Sequence, residues 1–126
     1  MPSIIEQIHW DKTSEGLVPA VVQDSQTKDV LMLGFMNRAA LEKTLREGKV
    51  TFWTRSRQKL WTKGETSGNI LKFVALRINC NDDSLLVLAE PVGPTCHTLH
   101  PTCYYREVES ENEEWRTISE PQMTSV

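Results

Sequence analysis

The chain has 126 residues, of which 39% are hydrophobic and 25% charged, and its net charge is −3 at neutral pH. That length holds one hydrophobic core and a tail rather than two domains, and the acidic balance argues against a general nucleic-acid binder. The longest apolar run, Leu85–Ala89, is far too short to span a membrane, and the start MPSIIEQIHW lacks a basic n-region, so a cytoplasmic protein is expected.

Two β-branched runs, Ala20–Val22 and Val30–Phe35, flank the polar DSQTKD and predict a hairpin. Asn37 is placed to cap a helix over Arg38–Glu47 that stops at Gly48, with Ala40, Leu41, Thr44 and Leu45 forming a narrow stripe for packing on a sheet. KVTFWTR and KLWTK predict two strands, and the glycines of GETSGN predict a loop. ILKFVALRI is apolar on both alternating sides, which predicts a mostly buried strand, and Leu85–Ala89 predicts another. EPVGPTCHTLHPTCYY carries three prolines and a glycine, so it is an irregular loop. Residues 107–126 are acidic without an apolar period and predict a solvated, flexible tail behind a 1–106 domain. The whole reads as mainly β, α+β: a small sheet or pseudo-barrel with one helix. Long strands over a modest core leave edges unpaired, which favours an intertwined homodimer.

Cys80, Cys96 and Cys103 are an odd count without an export signal, so a disulfide framework is not expected. Three thiolates with one open position would suit a catalytic zinc, with His97 beside Cys96 as the general base. The plain alternative is one buried thiol and two incidental loop thiols. His100, next to Pro101, reads as a surface group and His9 as structural. Asp82 and Asp83 are hard oxygen donors suited to magnesium, or simply a turn before a strand.

Between Thr51 and Asn69, four cations (Arg55, Arg57, Lys59, Lys63) face a single carboxylate, Glu65. Arg55 and Arg57, two apart on a predicted strand, would share a face and grip a phosphate. Lys63, Thr66 and Ser67 among small glycines extend this into an anion-binding edge, although the P-loop order is absent. Trp61 could stack on a purine or ribose, whereas Trp53 is expected in the core.

Taken together, LMLGFMN, GKVTFWTRSRQKLWTKGETSGN, LLVLAEPVGPTCH and the final Cys103 resemble the phosphoribosyl-AMP cyclohydrolase family of histidine biosynthesis, from about Trp10 to Tyr105. The resemblance implies hydrolysis of the N1–C6 bond of the adenine ring of phosphoribosyl-AMP, giving the formimino-carboxamide ribotide. It implies a homodimer with one zinc per subunit, shared so that Cys80 of one chain joins Cys96 and Cys103 of the other. It also implies substrate contacts at Arg55, Arg57, Trp61, Lys63, Glu65, Thr66 and Ser67, and magnesium at Asn79, Asn81 and Asp83. The family usually carries acids at the first two of those magnesium positions. The amides here bring no charge, so weaker magnesium binding is expected. Leu99–Thr102 replaces a small, glycine-containing linker, which predicts a stiffer loop with His100 near the metal.

Two rivals make different predictions. A zinc nucleoside deaminase would need His-x-Glu with Pro-Cys-x-x-Cys, and neither occurs. A non-catalytic zinc-stapled module would close the site with a fourth ligand and have no phosphate pocket. Many relatives fuse a second, helical domain, so the unpatterned 107–126 segment predicts a monofunctional chain or one ending at a domain junction.

Overall fold

The computed structural model describes residues 4–122, and the predicted hairpin is its first sheet element. Strands β1 (Val18–Asp24) and β2 (Val30–Met36) pair antiparallel from Val18↔Met36 to Gln23↔Val30. Asp24 sets the turn between them, its carboxylate accepting from the backbone N–H of Gln26 and Thr27 at 2.8 and 3.2 Å. Strands β5 (Leu71–Ile78) and β6 (Leu85–Pro91) complete a four-stranded sheet in the order β2-β1-β6-β5. The central β1–β6 pair is parallel, with Ala20 opposite Leu85, and β6 pairs antiparallel with β5. Val18, Ala20 and Val22 on one strand and Leu85, Val87 and Ala89 on the other are buried in a single core.

Helix α2 (Arg38–Glu47) matches its predicted span because both ends are capped chemically. The Asn37 Oδ1 accepts from the Ala40 N–H at 2.8 Å. Gly48, at φ 75°, donates its N–H to the Thr44 carbonyl. Ala40, Leu41 and Thr44 are the buried face, and Leu45 packs against the core beside them. Strands β3 (Thr51–Thr54) and β4 (Lys59–Thr62) then form a second hairpin. Residues 48–50 join this hairpin to the main sheet. Val50 N–H donates to Leu71 at 2.9 Å and Phe73 N–H to Gly48 at 2.9 Å, while Lys63 N–H donates to Val50 at 3.0 Å. The result is the mainly β, α+β architecture expected.

Three elements differ from the sequence reading. The polar opening contains α1 (Ile4–Gln7) and a 3-10 turn at Trp10–Lys12, and Ile8 and Trp10 enter the core. These pieces are too short for any apolar period to show. Strand β5, expected mostly buried, hides only Leu71 fully; Val74 is 51% exposed and Ile78 37%. Its residues are apolar on both faces, but β5 is an edge strand and the described residues cover one face. In the acidic tail, β7 (Arg106–Glu107) and β8 (Arg116–Thr117) make a small exposed hairpin, where the Arg116 guanidinium donates to Glu107 and Glu109. The first three and last four residues of the chain lie outside the described part. Among the described residues, no helix is long and apolar enough to cross a membrane.

Candidate active site

The irregular segment after β6 is pinned at both ends, and this is what brings two thiols together. Cys96 N–H donates to the His100 carbonyl at 3.1 Å and Leu99 N–H to the Cys96 carbonyl at 2.9 Å, closing a tight turn with Leu99 at φ 71°. Farther on, the loop is stitched to the edge of β2. Cys103 N–H donates to the Leu31 carbonyl at 2.8 Å, and the Thr102 hydroxyl donates to the Val30 carbonyl at 2.6 Å. Cys96 is buried, Cys103 keeps solvent access, and the two thiols are near enough to shift each other's ionisation. Thr95, just before Cys96, has a buried hydroxyl without a hydrogen-bond partner among the described residues.

The electrostatics of the pair are asymmetric. Burial pushes the Cys103 thiol up to about 11, and charge on Cys96 pushes the same way. Burial also acts against ionisation of Cys96. There it is outweighed by hydrogen bonds from the Thr98 side chain and backbone, then by Cys103 and the charge of Lys63, so this thiol lies below its usual range. The Thr98 hydroxyl sits 3.0 Å from the Cys96 sulfur. Lys63 is itself buried, and burial lowers its ammonium, opposed by the two thiols. One cysteine is therefore poised to ionise first, next to a desolvated cation.

A cleft of about 260 Å³ separates the thiol loop from the basic segment. Trp61, Lys63, Glu65, Thr66, Ser67 and Asn69 line one side, and Cys96, His97 and Leu99 line the other. Two glycines let the walls approach. Gly64, at φ 81°, leaves no space for a Cβ because the Asn69–Ile70 peptide lies against it. Gly93, at φ 78°, is packed under the Asn69 side chain. Asn69 thus braces the anion loop against the thiol loop. His97 projects at the exposed rim, its Nδ1 4.0 Å from the Cys96 sulfur.

The fold separates other predicted groups from this cleft. Arg55 and Arg57 do not share a strand face: β3 ends at Thr54, and both lie in the exposed turn before β4, where Gln58 at φ 53° completes the reversal. The Arg55 guanidinium stacks 4.3 Å over the Phe35 ring, in a neighbouring cleft of about 400 Å³ that Trp53 and Trp61 also line. Trp53 is only partly buried, not a core residue. His100 is buried rather than on the surface; its ring stacks on Tyr105 with centroids 3.5 Å apart, and its Nδ1 is 3.3 Å from the Ser119 hydroxyl. A histidine beside a proline gave no sign of this stack, because its aromatic partner is contributed by the far end of the loop.

Cys80 is exposed in the turn after β5, away from the other thiols. Within the described chain, no three His, Cys, Asp or Glu side chains gather to hold a metal. Cys96 and Cys103 fit zinc as half of a site: two adjacent soft donors beside a cation that favours their ionised forms. The described residues bring no third such side chain to the pair. Thr98, two residues from Cys96 in the same loop, and Asn69, packed against Gly64 and Gly93, were not singled out as site residues from the sequence.

The family model for phosphoribosyl-AMP cyclohydrolase matches residues 32–105, which include both walls of the cleft. The histidine biosynthesis bifunctional protein HisIE of Photobacterium profundum is 51% identical over 112 residues, covering 89% of this chain and 54% of that protein. The proteins of the same name from Escherichia coli and Campylobacter jejuni are each 54% identical, over 98 and 99 residues, covering 78% and 79% of this chain and 48% and 47% of theirs. The chain spans about half the length of the curated relatives it matches. With the matched segment carrying the thiol loop, the anion loop and the glycines between them, the chain belongs to the phosphoribosyl-AMP cyclohydrolase family.

Proposed function

We propose that this chain opens the adenine ring of phosphoribosyl-AMP by hydrolysing its N1–C6 bond, giving the formimino-carboxamide ribotide of histidine biosynthesis. One observation carries the reading: a buried lysine and a glycine–hydroxyl loop face Cys96 and His97 across one small cleft, with Cys103 close enough to Cys96 to shift its ionisation. The substrate has a phosphate at each end of a purine nucleoside, so it needs two anion subsites flanking a planar pocket. Lys63 with Thr66 and Ser67 supplies one, and Trp61 supplies an apolar flank. Arg55 and Arg57, in the adjoining turn, offer the second, and Glu65 stands where it can meet the base or ribose.

Cys96 and Cys103 would hold a zinc ion together with Cys80 of a second copy, which makes the enzyme a homodimer with one zinc per subunit. When bound, the metal supplies the Lewis acidity that makes a water molecule nucleophilic at neutral pH. His97 is positioned at the rim to take the proton from the water that attacks C6 and to deliver it to N1 as that bond breaks. Lys63 stabilises charge on the thiol pair and on the phosphate. All three cysteines are free, in keeping with a reducing, cytoplasmic setting.

The test is turnover of phosphoribosyl-AMP followed by ultraviolet absorbance, with zinc content and mass measured on the same sample. Ring opening by a dimer holding one zinc per chain is the expected result. A zinc-loaded dimer without turnover overturns the assignment.

A further inference from the structure

The turn that presents Cys80 is already filled by the protein's own groups. Asn79 Oδ1 accepts two backbone N–H groups, from Asp83 and Ser84, each at 2.9 Å. That fixes the orientation of the amide, since a flipped Asn79 would aim its NH₂ at two donors. Its Nδ2 therefore points at the Asp83 carboxylate, 2.6 Å from Oδ1. The other carboxylate oxygen, Oδ2, holds the Lys12 ammonium at 2.8 Å. The backbone closes around these contacts: Asn79 N–H donates to Ser84, Asp82 N–H to Asn79, and His9 N–H to Asp82.

A hard divalent cation needs several oxygens converging with lone pairs open toward it. Here the Asn79 amide oxygen is committed to the backbone, an N–H donor faces the Asp83 carboxylate, and an ammonium occupies its outer side, leaving Asn81 as the one amide without such a commitment among the described residues of the turn. Asn79, Asn81 and Asp83 do not fit magnesium. We propose instead that Lys12 is a positioning residue whose ammonium stands in for a divalent cation, fixing the Cys80 turn to the N-terminal segment without magnesium. The proposal rests on reading Cys80 as the thiol offered to a second copy. Its consequence is that residues 9–12, far from the cleft in sequence, help set where that thiol is presented.

Magnesium titration by calorimetry, with amide hydrogen exchange on residues 79–84, tests this on the metal-free full chain. The wild-type protein should bind no magnesium up to about 10 mM, well beyond the weak end of hard-cation sites. Lys12→Ala should speed exchange at the Asp83 and Ser84 amides by about two- to fivefold, the size of an exposed ion pair, while the thermal midpoint falls by no more than about 5 °C. Lys12→Arg should restore slow exchange, and Lys12→Ala with Asn79→Asp and Asn81→Asp should gain magnesium binding that slows it. Binding of magnesium to the wild type anywhere below about 10 mM, or unaltered exchange in Lys12→Ala, overturns the proposal. Neither readout uses substrate, so absence of turnover would count against the proposed function alone.

Discussion

At the scale of single residues, Lys63 is the group whose burial has the clearest chemical consequence. An exposed lysine beside an anion site contributes weakly, but this one is 9% exposed and shares its surroundings with two thiols. A charge-assisted hydrogen bond from such a group is worth about 1.5–3 kcal/mol. Lys63→Met should therefore raise the KM for phosphoribosyl-AMP by about ten- to hundredfold, and steady-state kinetics on the zinc-loaded variant would show it. An unchanged KM would place the phosphate elsewhere. Cys103 makes a prediction of the opposite kind. With its thiol near 11, each pH unit below that value leaves about tenfold less thiolate to react. In zinc-stripped protein, alkylation at Cys103, followed by peptide mass spectrometry, should keep climbing about tenfold per unit from about pH 7 to 9.5. A plateau below about pH 9 would contradict the burial argument. Residue types and spacing marked these cysteines as chemically loaded, and only the family resemblance grouped Cys96 with Cys103. Their meeting depends on the stitching of the 102–103 backbone to β2, which no spacing rule encodes.

At the scale of elements, what was readable is what local chemistry decides. The Asn37 and Gly48 caps bounded α2, and the polar DSQTKD stretch located the first hairpin. What was not readable depends on neighbours: Arg55 and Arg57 fell in a turn because β3 stops at Thr54, and β5 became an exposed edge. The 63–69 loop shows how much an element can depend on one missing Cβ. Gly64 and Gly68 both have left-handed φ, at 81° and 84°. Only at Gly64 would a Cβ also strike backbone, since nothing lies near the position at Gly68. An alanine in that conformation costs about 1–2 kcal/mol at either position, and Gly64→Ala adds a forced displacement of the 69–70 peptide. Gly64→Ala should thus be less stable than Gly68→Ala by at least about 1 kcal/mol in urea denaturation. Equal losses would mean that the loop gives way freely and does not brace the cleft through Asn69.

At the scale of the molecule, the thiols and the sheet edges pose the same problem. Cys96 and Cys103 converge while Cys80 stands apart, and the β5 edge that leads to Cys80 exposes Val74 and Ile78. Among the described residues Cys80 does not join the other two thiols, and the apolar β5 edge is exposed. A two-fold dimer in which β5 of each copy approaches the thiol loop of the other would resolve both at once. This arrangement makes a quantitative prediction that separates a shared site from three cysteines acting within one chain. Cys80→Ala and Cys103→Ala should each be inactive as homodimers. Unfolded together and refolded as an equal mixture, about half of the dimers are mixed, and each mixed dimer contains one site with all three thiols. About a quarter of wild-type turnover should return, with zinc restored in the same proportion. A mixture that stays inactive while co-purification through a tag on one variant shows mixed dimers would mean that the third donor is not the partner's Cys80.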